Sequence, residues 1–238
     1  MAKLKIGNLA VDVVRKNIKN LHLAVYPPNG RVRVAVPLRV DNEAVRLAVA
    51  SRLGWIRRQQ KRLAAQDRES RREFVQRESH YFLGRRYLLN VIIHDGPARV
   101  VVNGKPAIDF YVPDGINRSR REKIFQEWYR KELKLLIPPL VAKWEPIIGV
   151  LVSEWRVKKM KTKWGTCNSK ANRIWINLEL AKKPVECLEY IVVHEMVHLL
   201  ERRHNERFIS YMEKFLPQWH LRRDQLNKFP LRHEHWEY

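Results

Sequence analysis

The sequence predicts an α+β fold with a β-rich first half and a helical second half. Segments of alternating apolar and polar residues, separated by Pro, Gly and Asn turns, fill much of the first 115 residues. Helix-period apolar patterns dominate after residue 116, and one of them is apolar almost all round. We therefore expect a β-rich domain over residues 1–115, with an inserted helix, and a helical domain with a short sheet over residues 116–238.

The first domain is predicted to consist of paired strands. The predicted strands are residues 3–6, 11–15, 21–26, 31–36, 81–84, 87–93, 99–102 and 107–112. Turn signals join neighbouring strands as hairpins, including one across His94–Gly96 and one across Asn103–Gly104. A helix that begins at Asp41 or Asn42 and continues to about Arg68 interrupts the series. No internal repeat is evident in the sequence.

The second domain is predicted to alternate helices with two strands. A capping box at Ser119–Glu122 opens a helix that Pro138–Pro139 should interrupt or kink. Residues 151–160 and 172–178 are predicted strands. Pro184 then stands in the first turn of the next helix, where its missing N–H costs nothing.

That helix carries the motif His194-Glu195-x-x-His198. Residues four apart project from one helix face, so the two imidazoles can bind one metal ion, and Glu195 can act on a water there without being a ligand. From Ile191 to Leu200 every residue except His194, Glu195 and His198 is apolar. Burying three ionisable groups is costly unless they pair or bind metal. A pair of hydrogen-bonded core histidines is the alternative, and the apolar setting favours metal.

A catalytic zinc site requires a third protein ligand. His204 would face about 120° away from His198 if the helix continued, so the helix should stop first. The segment Arg202–Asn205 is a plausible stop, and Asn205 can cap a new helix. Glu201, one turn further along the metal face, is the rival ligand.

Composition limits the possible partners and location. The net charge is +22 and the sequence pI is near 10.3, which suggests nucleic acid or an anionic substrate, or simply a solvated basic surface. Two cysteines indicate no disulfide framework. Because there is neither a signal segment nor an apolar run of about 18 residues, we expect a cytoplasmic protein with no membrane contact.

Three motifs together resemble the YgjP-like metal-dependent hydrolases. They are residues 161–167 (Lys-Thr-Lys-Trp-Gly-Thr-Cys), Ile174–Asn177, and the pattern His194–His204 followed by Phe208. Thr166 stands where serine is common in the family and keeps the hydroxyl. The resemblance extends to the amino-terminal hairpin and helix. These hydrolases are zincin-type metallopeptidases, related more distantly to the WLM and SprT-like proteases.

The resemblance implies a zincin-like catalytic domain over residues 116–238. In it, His194, His198 and His204 would hold one zinc ion per chain. Glu195 would be the catalytic acid/base that activates water for hydrolysis of a peptide or protein. The net charge of +22 adds nucleic acid as an expected neighbour of this activity. In zincins an edge strand beside the active-site helix pairs with the extended substrate.

We expect Arg173–Leu178 to be that edge strand, with Arg173 and Trp175 contacting substrate. We expect Trp164 to line the cleft or to pack in the core. We expect Cys167 to be a small, buried apolar residue.

Two further functions remain open from the sequence. The first is a metal-dependent nucleoside triphosphate pyrophosphohydrolase, whose anionic substrate would explain the charge, and which has been proposed for members of the resembled family. The second is a nucleic-acid-binding module whose metal site is structural. The presence of Glu195 counts against the second, because a structural site needs no general base. The sequence does not separate peptidase from pyrophosphohydrolase.

Overall fold

A computed structural model describes residues 2–26, 29–64, 68–69, 72–104, 106–160, 163–228 and 231–232. Helices and mixed sheets confirm the predicted α+β class. The chain divides into a first unit, Met1–Arg71 with Pro230–Tyr238, and a second unit, Arg72–Phe229. This division does not coincide with the predicted boundary at residue 115, because the sheet formed by residues 79–112 shares one hydrophobic core with the helices that follow it.

The first unit contains a four-stranded sheet that joins two hairpins side by side. Its strands are β1 (Ala2–Ile6), β2 (Leu9–Lys16), β3 (His22–Tyr26) and β4 (Arg31–Pro37). The order is β1-β2-β4-β3, with antiparallel outer pairs and a parallel central pair. A short parallel pair, β5 (Arg68–Glu69) with β13 (Leu231–Arg232), belongs to the same unit.

Two helices, not one, follow the first sheet. They are α1 (Asn42–Ala50) and α2 (Leu53–Ala64). Asp41 caps α1 as predicted, accepting a hydrogen bond from the Ala44 amide at 2.7 Å. The prediction of one helix to about Arg68 is wrong. Ser51 ends α1 and its hydroxyl donates to the Ala48 carbonyl, a local bond that competes with the helical pattern.

The second unit begins with a sheet of the same topology. Its strands are β6 (Ser79–Phe82), β7 (Arg85–Ile93), β8 (Arg99–Val102) and β9 (Ala107–Val112), in the order β6-β7-β9-β8. The hairpin across Asn103–Gly104 is confirmed. The hairpin across His94–Gly96 is wrong, because β9 lies between β7 and β8. The two sheets have the same topology and thus form a structural repeat, although no internal repeat is evident in the sequence.

The longest helix, α3 (Arg118–Ile148), differs from its prediction at two places. Asn117, not Ser119, caps it by accepting the Arg120 amide at 3.0 Å. The helix also continues through Pro138–Pro139 without interruption. Buried residues on both sides of the prolines, including Leu133 and Val141, anchor each half in the core and offset the lost hydrogen bonds.

The remainder of the second unit is a three-stranded sheet followed by short helices. The elements are β10 (Glu154–Lys158), β11 (Gly165–Asn168), β12 (Arg173–Asn177), a 3-10 turn (Leu178–Lys182), α4 (Val185–Val197), α5 (Glu206–Phe215) and α6 (Trp219–Lys228). The strand order is β10-β12-β11. None of the helices in the described part of the chain combines the length and apolarity that crossing a bilayer requires.

Candidate metal centre

Helix α4 is the buried helix that carries the motif. Nine of its thirteen residues are buried, on every side of the helix, as expected for a sequence apolar nearly all round. Pro184 stands at the N-cap, one position before the first helical residue. The helix packs against α3, α5, α6, β11 and β12. It therefore fixes His194, Glu195 and His198 within a rigid environment.

The chain turns immediately after the second histidine. Helix α4 ends at Val197 with His198 as its C-cap, and the amide of Leu200 closes a tight turn on the Val197 carbonyl at 2.9 Å. Asn205 then caps α5, accepting the Phe208 amide at 3.0 Å. This stop and restart brings His204 back to the helix face, as the sequence required.

Three imidazoles converge at this turn. His194, His198 and His204 each offer one ligand atom, and these atoms lie within 4.8 Å of one another. Nε2 of His204 lies 3.1 Å from Nε2 of His194. Nδ1 of His198 lies 2.9 Å from the carbonyl oxygen of Glu201. Because a carbonyl oxygen only accepts hydrogen bonds, Nδ1 carries the proton, and Nε2 of His198 has the lone pair that can bind a metal. The donor set fits a zinc ion held by three nitrogens.

Phe208 supports all three rings from one side. Its ring centroid lies 5.0 Å from that of His194 and 4.7 Å from those of His198 and His204. Phe208 itself is 2% exposed. Because the phenyl ring fills the space behind the imidazoles, it limits their rotation and excludes water from one side of the site.

The surroundings of His194 and His198 favour the neutral imidazole that binds metal. Burial, together with smaller contributions from the nearby His198 and His204, lowers the pKa of His194 to about 3. Burial also lowers the pKa of His198. Nδ1 of His194 has no hydrogen-bond partner among the described residues. A positive ion would therefore meet uncharged imidazoles at His194 and His198.

Glu195 is 5% exposed and lies against the backbone of β11. A Cβ added to Gly165 would stand 2.5 Å from Oε1 of Glu195, so only glycine permits this approach. Burial raises the pKa of Glu195 to about 8, and the positive charge of Lys163 partly opposes the shift. Sequence analysis assigned no role to Gly165, since its contact with Glu195 exists only in the folded chain.

Glu201, the rival ligand, is directed away from the imidazoles. Its Oε1 accepts the amide of Arg203 at 3.1 Å. That hydrogen bond is the main cause of the lowered pKa of Glu201. Within the described residues the metal-competent cluster contains only the three histidines.

A cleft of about 920 Å³ opens beside the imidazoles. Trp164, Arg173 and Trp175, the predicted substrate-binding residues, all line it. The prediction that residues 173–178 form an edge strand is wrong, because β12 is the central strand and β11 lies at the edge. Cys167, on β11, also lines the cleft, and burial raises the pKa of its thiol to about 11, with Glu195 adding to the effect.

The side chain of Asn177 binds the backbone of Met160 and of Lys163, a role that sequence analysis missed. Its amide nitrogen donates to the Met160 carbonyl at 2.9 Å and to the Lys163 carbonyl at 2.6 Å. Asn177 is 4% exposed. An asparagine at the end of an alternating strand was the signal available in the sequence, because its side-chain amide needs hydrogen-bond partners when the strand is buried.

Comparison with known proteins identifies one family. The family described as "YgjP-like, metallopeptidase domain" matches residues 19–229. Among solved structures, the chain is similar to the metallopeptidase zymogen of Pyrococcus abyssi abylysin, with 22% identity and a TM-score of 0.35. That match covers 37% of this chain and 89% of the other. No curated protein matches the chain significantly.

Proposed function

Because the chain belongs to the YgjP-like metallopeptidase family, we propose that it is a zinc-dependent peptidase in which Glu195 activates water. The observation that carries the proposal is the convergence of three imidazoles beside a buried carboxyl group in an open cleft. A structural site would need the imidazoles but not Glu195.

The residues that would hold the ion are His194, His198 and His204. A bound zinc ion would supply Lewis acidity, which lowers the pKa of water and polarises a carbonyl oxygen. The backbone contact from His198 to the Glu201 carbonyl and the packing of Phe208 would keep the rings oriented.

Glu195 would accept a proton from the attacking water and return it to the leaving amine. Its carboxylate makes no ion pair with another described residue, and it lies against Gly165. It is therefore not neutralised by a fixed partner. Glutamate in this position can serve as base and then as acid within one reaction cycle.

The peptide would pair with the edge strand β11. The Trp164 carbonyl accepts the Asn177 amide, so Trp164 directs its backbone groups toward β12. Since these directions alternate along a strand, Gly165 and Cys167 direct theirs toward the open edge. An extended substrate could hydrogen-bond there, with its scissile bond near Glu195.

One experiment separates this proposal from its alternatives. Zinc-loaded protein is incubated with a casein-type substrate and, separately, with nucleoside triphosphates, alongside the Glu195→Gln variant and a chelated sample. We expect peptide cleavage that chelation abolishes and that Glu195→Gln reduces. Triphosphate hydrolysis without peptide cleavage would instead assign the pyrophosphohydrolase activity to this site. Zinc binding without either activity would indicate a structural metal.

The ligand set has its own test. We expect purified protein to hold about one zinc ion per chain, measured by elemental analysis. His204→Ala should weaken zinc binding sharply, whereas Glu201→Ala should leave it unchanged. The reverse result would move the third ligand to Glu201.

Nucleic-acid binding remains a prediction from charge. The first unit carries a net +10 in 80 residues and the second a net +12 in 158, so the first is the more basic per residue. A cytoplasmic location also remains a prediction.

A further inference from the structure

The cleft beside Glu195 is lined by basic side chains. They are Lys163, Lys170, Arg173, Arg202 and Arg223. Among the described residues that line the cleft, Glu195 is the one carboxylate, and it is buried. A cleft with five cations at its walls creates a positive potential that attracts and orients anionic groups.

Some basic side chains elsewhere in the second unit have acidic partners. Nζ of Lys143 lies 2.7 Å from Glu189, Arg130 lies 2.5 Å from Glu127, and Arg118 pairs with two carboxylates. The cleft is distinguished by the convergence of five cations on one opening in which a single carboxylate, itself buried, is present among the described lining residues.

Only two of the five cleft cations have an acidic partner. Arg173 lies 3.3 Å from Glu154, and Arg223 lies 3.2 Å from Asp224. The other three form no ion pair with any residue in the described ranges. Their charge is available to a bound molecule.

Two of the cleft cations, Lys170 and Arg173, stand at one end of the edge strand. Gly165, at the start of β11, lies beside Glu195, whereas Asn168 ends the strand. The amide of Lys170 donates to the Asn168 side chain at 3.2 Å, and Arg173 is the cross-strand neighbour of Asn168. Lys170 and Arg173 therefore stand at the end of β11 that is remote from Glu195. Three residues of strand separate the two ends by roughly 10 Å.

A peptide that pairs antiparallel to β11 runs in the opposite direction. Its N-terminal part would then lie beside Asn168 and its scissile bond beside Gly165. Antiparallel pairing is the commoner arrangement between strands. A substrate side chain about three residues before the scissile bond would reach the basic groups at the end of β11.

We propose that the cleft selects peptides with an acidic side chain about three residues on the N-terminal side of the bond that is cleaved. This selectivity rests on the proposed peptidase function and adds a substrate class to it. The edge strand favours an extended peptide over a nucleotide, because unpaired backbone groups at Gly165 and Cys167 are matched by the backbone of a peptide.

The test measures kcat/KM on a set of internally quenched peptides. Each has Glu, Gln or Lys at one position from four residues before to three residues after the scissile bond. We expect Glu to exceed Gln by roughly 2–5-fold near the third position before the bond, Lys to fall below Gln, and the difference to shrink with added salt. These magnitudes follow from solvent-exposed charge pairs.

Lys170→Glu provides the decisive variant, since the residue is exposed and lies outside the metal cluster. It should abolish or invert the preference for Glu over Gln. Lys134→Glu on α3 is the matched control, because it makes the same charge change at an exposed position outside the cleft. An equal effect of the two variants would attribute the preference to net charge and overturn the proposal.

Two other results would also overturn it. Equal kcat/KM for Glu, Gln and Lys at every position would show a cleft indifferent to charge, with the peptidase function intact. A preference confined to the C-terminal side would contradict the antiparallel register. If no peptide is cleaved while nucleoside triphosphates are hydrolysed, the proposed function itself fails, and the basic residues serve a phosphate substrate.

Discussion

The two four-stranded sheets share a strand order but differ in what their buried faces contact. The first sheet packs with α1 and α2 around a small core of seven valines, one leucine and one isoleucine. The second packs its inner residues, such as Phe110, into the large aromatic core that includes Phe125, Trp128 and α4. One topology therefore serves a self-contained unit in the first case and supports the candidate metal centre in the second.

The turns of the two sheets show the same contrast. The turn of the first hairpin contains Gly7, around which a Cβ would meet nothing within 4 Å. The corresponding turn of the second sheet contains Leu83 and Gly84, whose amides donate to the carbonyls of Ala181 and Lys182 at 2.9 and 3.2 Å. These carbonyls lie in the 3-10 turn just before α4. The second sheet thus contacts the segment that begins the helix carrying the candidate metal ligands.

Each unit has a buried carboxyl group, Asp12 in the first and Glu195 in the second, and we expect their substitutions to differ most in their effect on hydrolytic rate. Asp12, in the first sheet, pairs with Arg31, whereas Glu195 has no ion-pair partner among the described residues. We expect Glu195→Gln to lower the hydrolytic rate by roughly 10²–10⁴ and to leave folding and zinc content unchanged, because glutamine keeps the shape but cannot accept the proton. Asp12→Asn should cost about 1–3 kcal/mol of stability, since it replaces a charge-assisted hydrogen bond from Arg31 to a buried carboxylate by a neutral one.

Rates on a peptide substrate, zinc content and chemical denaturation of both variants check this prediction. Loss of zinc from Glu195→Gln would make Glu195 a ligand or its support. A large loss of activity in Asp12→Asn, with zinc retained, would show that the first unit takes part in catalysis.

The next difference concerns the two cores. Val34 and Phe110 occupy equivalent central strands and are both fully buried. Phe110→Ala should cost about 3–5 kcal/mol and Val34→Ala about 1–3 kcal/mol. Because Phe110 belongs to the same core as α4, its truncation should also release zinc at lower denaturant concentration. Val34→Ala should leave the zinc-release midpoint unchanged.

Denaturant titration with a zinc-responsive dye follows both quantities together. Equal shifts of the zinc-release midpoint in the two variants would mean that the two units unfold as one cooperative body. The comparison between a separate first core and a site-bearing second core would then be wrong.

Local pattern was sufficient to predict much of this molecule. Alternation located the strands of both sheets, and the one-face spacing of His194 and His198 predicted the helix that carries the candidate metal ligands. The need for a third ligand predicted that the helix ends before His204, so that the chain turns and brings His204 close to His194 and His198. It also predicted the helix cap at Asn205. Each of these inferences depends on residues within about one helical turn or one strand of each other.

Strand order was not predictable in this way. The parallel pairing of β2 with β4, the insertion of β9 beside β7, and the central place of β12 all depend on contacts between distant segments. The sequence did not reveal the repeat, because the two sheets share a pattern of buried alternation but not residue identity. The middle one of three alternating buried residues is Val34 on β4 and Phe110 on β9. Gly165 likewise gains its role only when Glu195 is folded against it.

The smallest expected difference is in the stability cost of replacing the two turn glycines, Gly7 and Gly84, by alanine. Both have positive φ, +56° at Gly7 and +80° at Gly84, so alanine should cost about 1–2 kcal/mol of backbone strain at either position. At Gly84 the new Cβ would also meet Cγ of Pro184 at 2.6 Å, at the N-cap of α4. We therefore expect Gly84→Ala to cost about 1–2 kcal/mol more than Gly7→Ala.

The excess should appear at the site as well as in stability. Gly84→Ala should displace the start of α4 and weaken zinc retention by a few-fold, whereas Gly7→Ala should leave zinc affinity as it is in the wild type. Competition with a chromophoric chelator measures the affinity, and hydrogen exchange of the α4 amides reports the displacement. Because the backbone strain is common to both variants, it cancels in the comparison, and what remains is the contact with Pro184. Identical zinc affinities in the two variants would show that α4 holds its position without this contact, and that the second sheet contributes to the site only through its core.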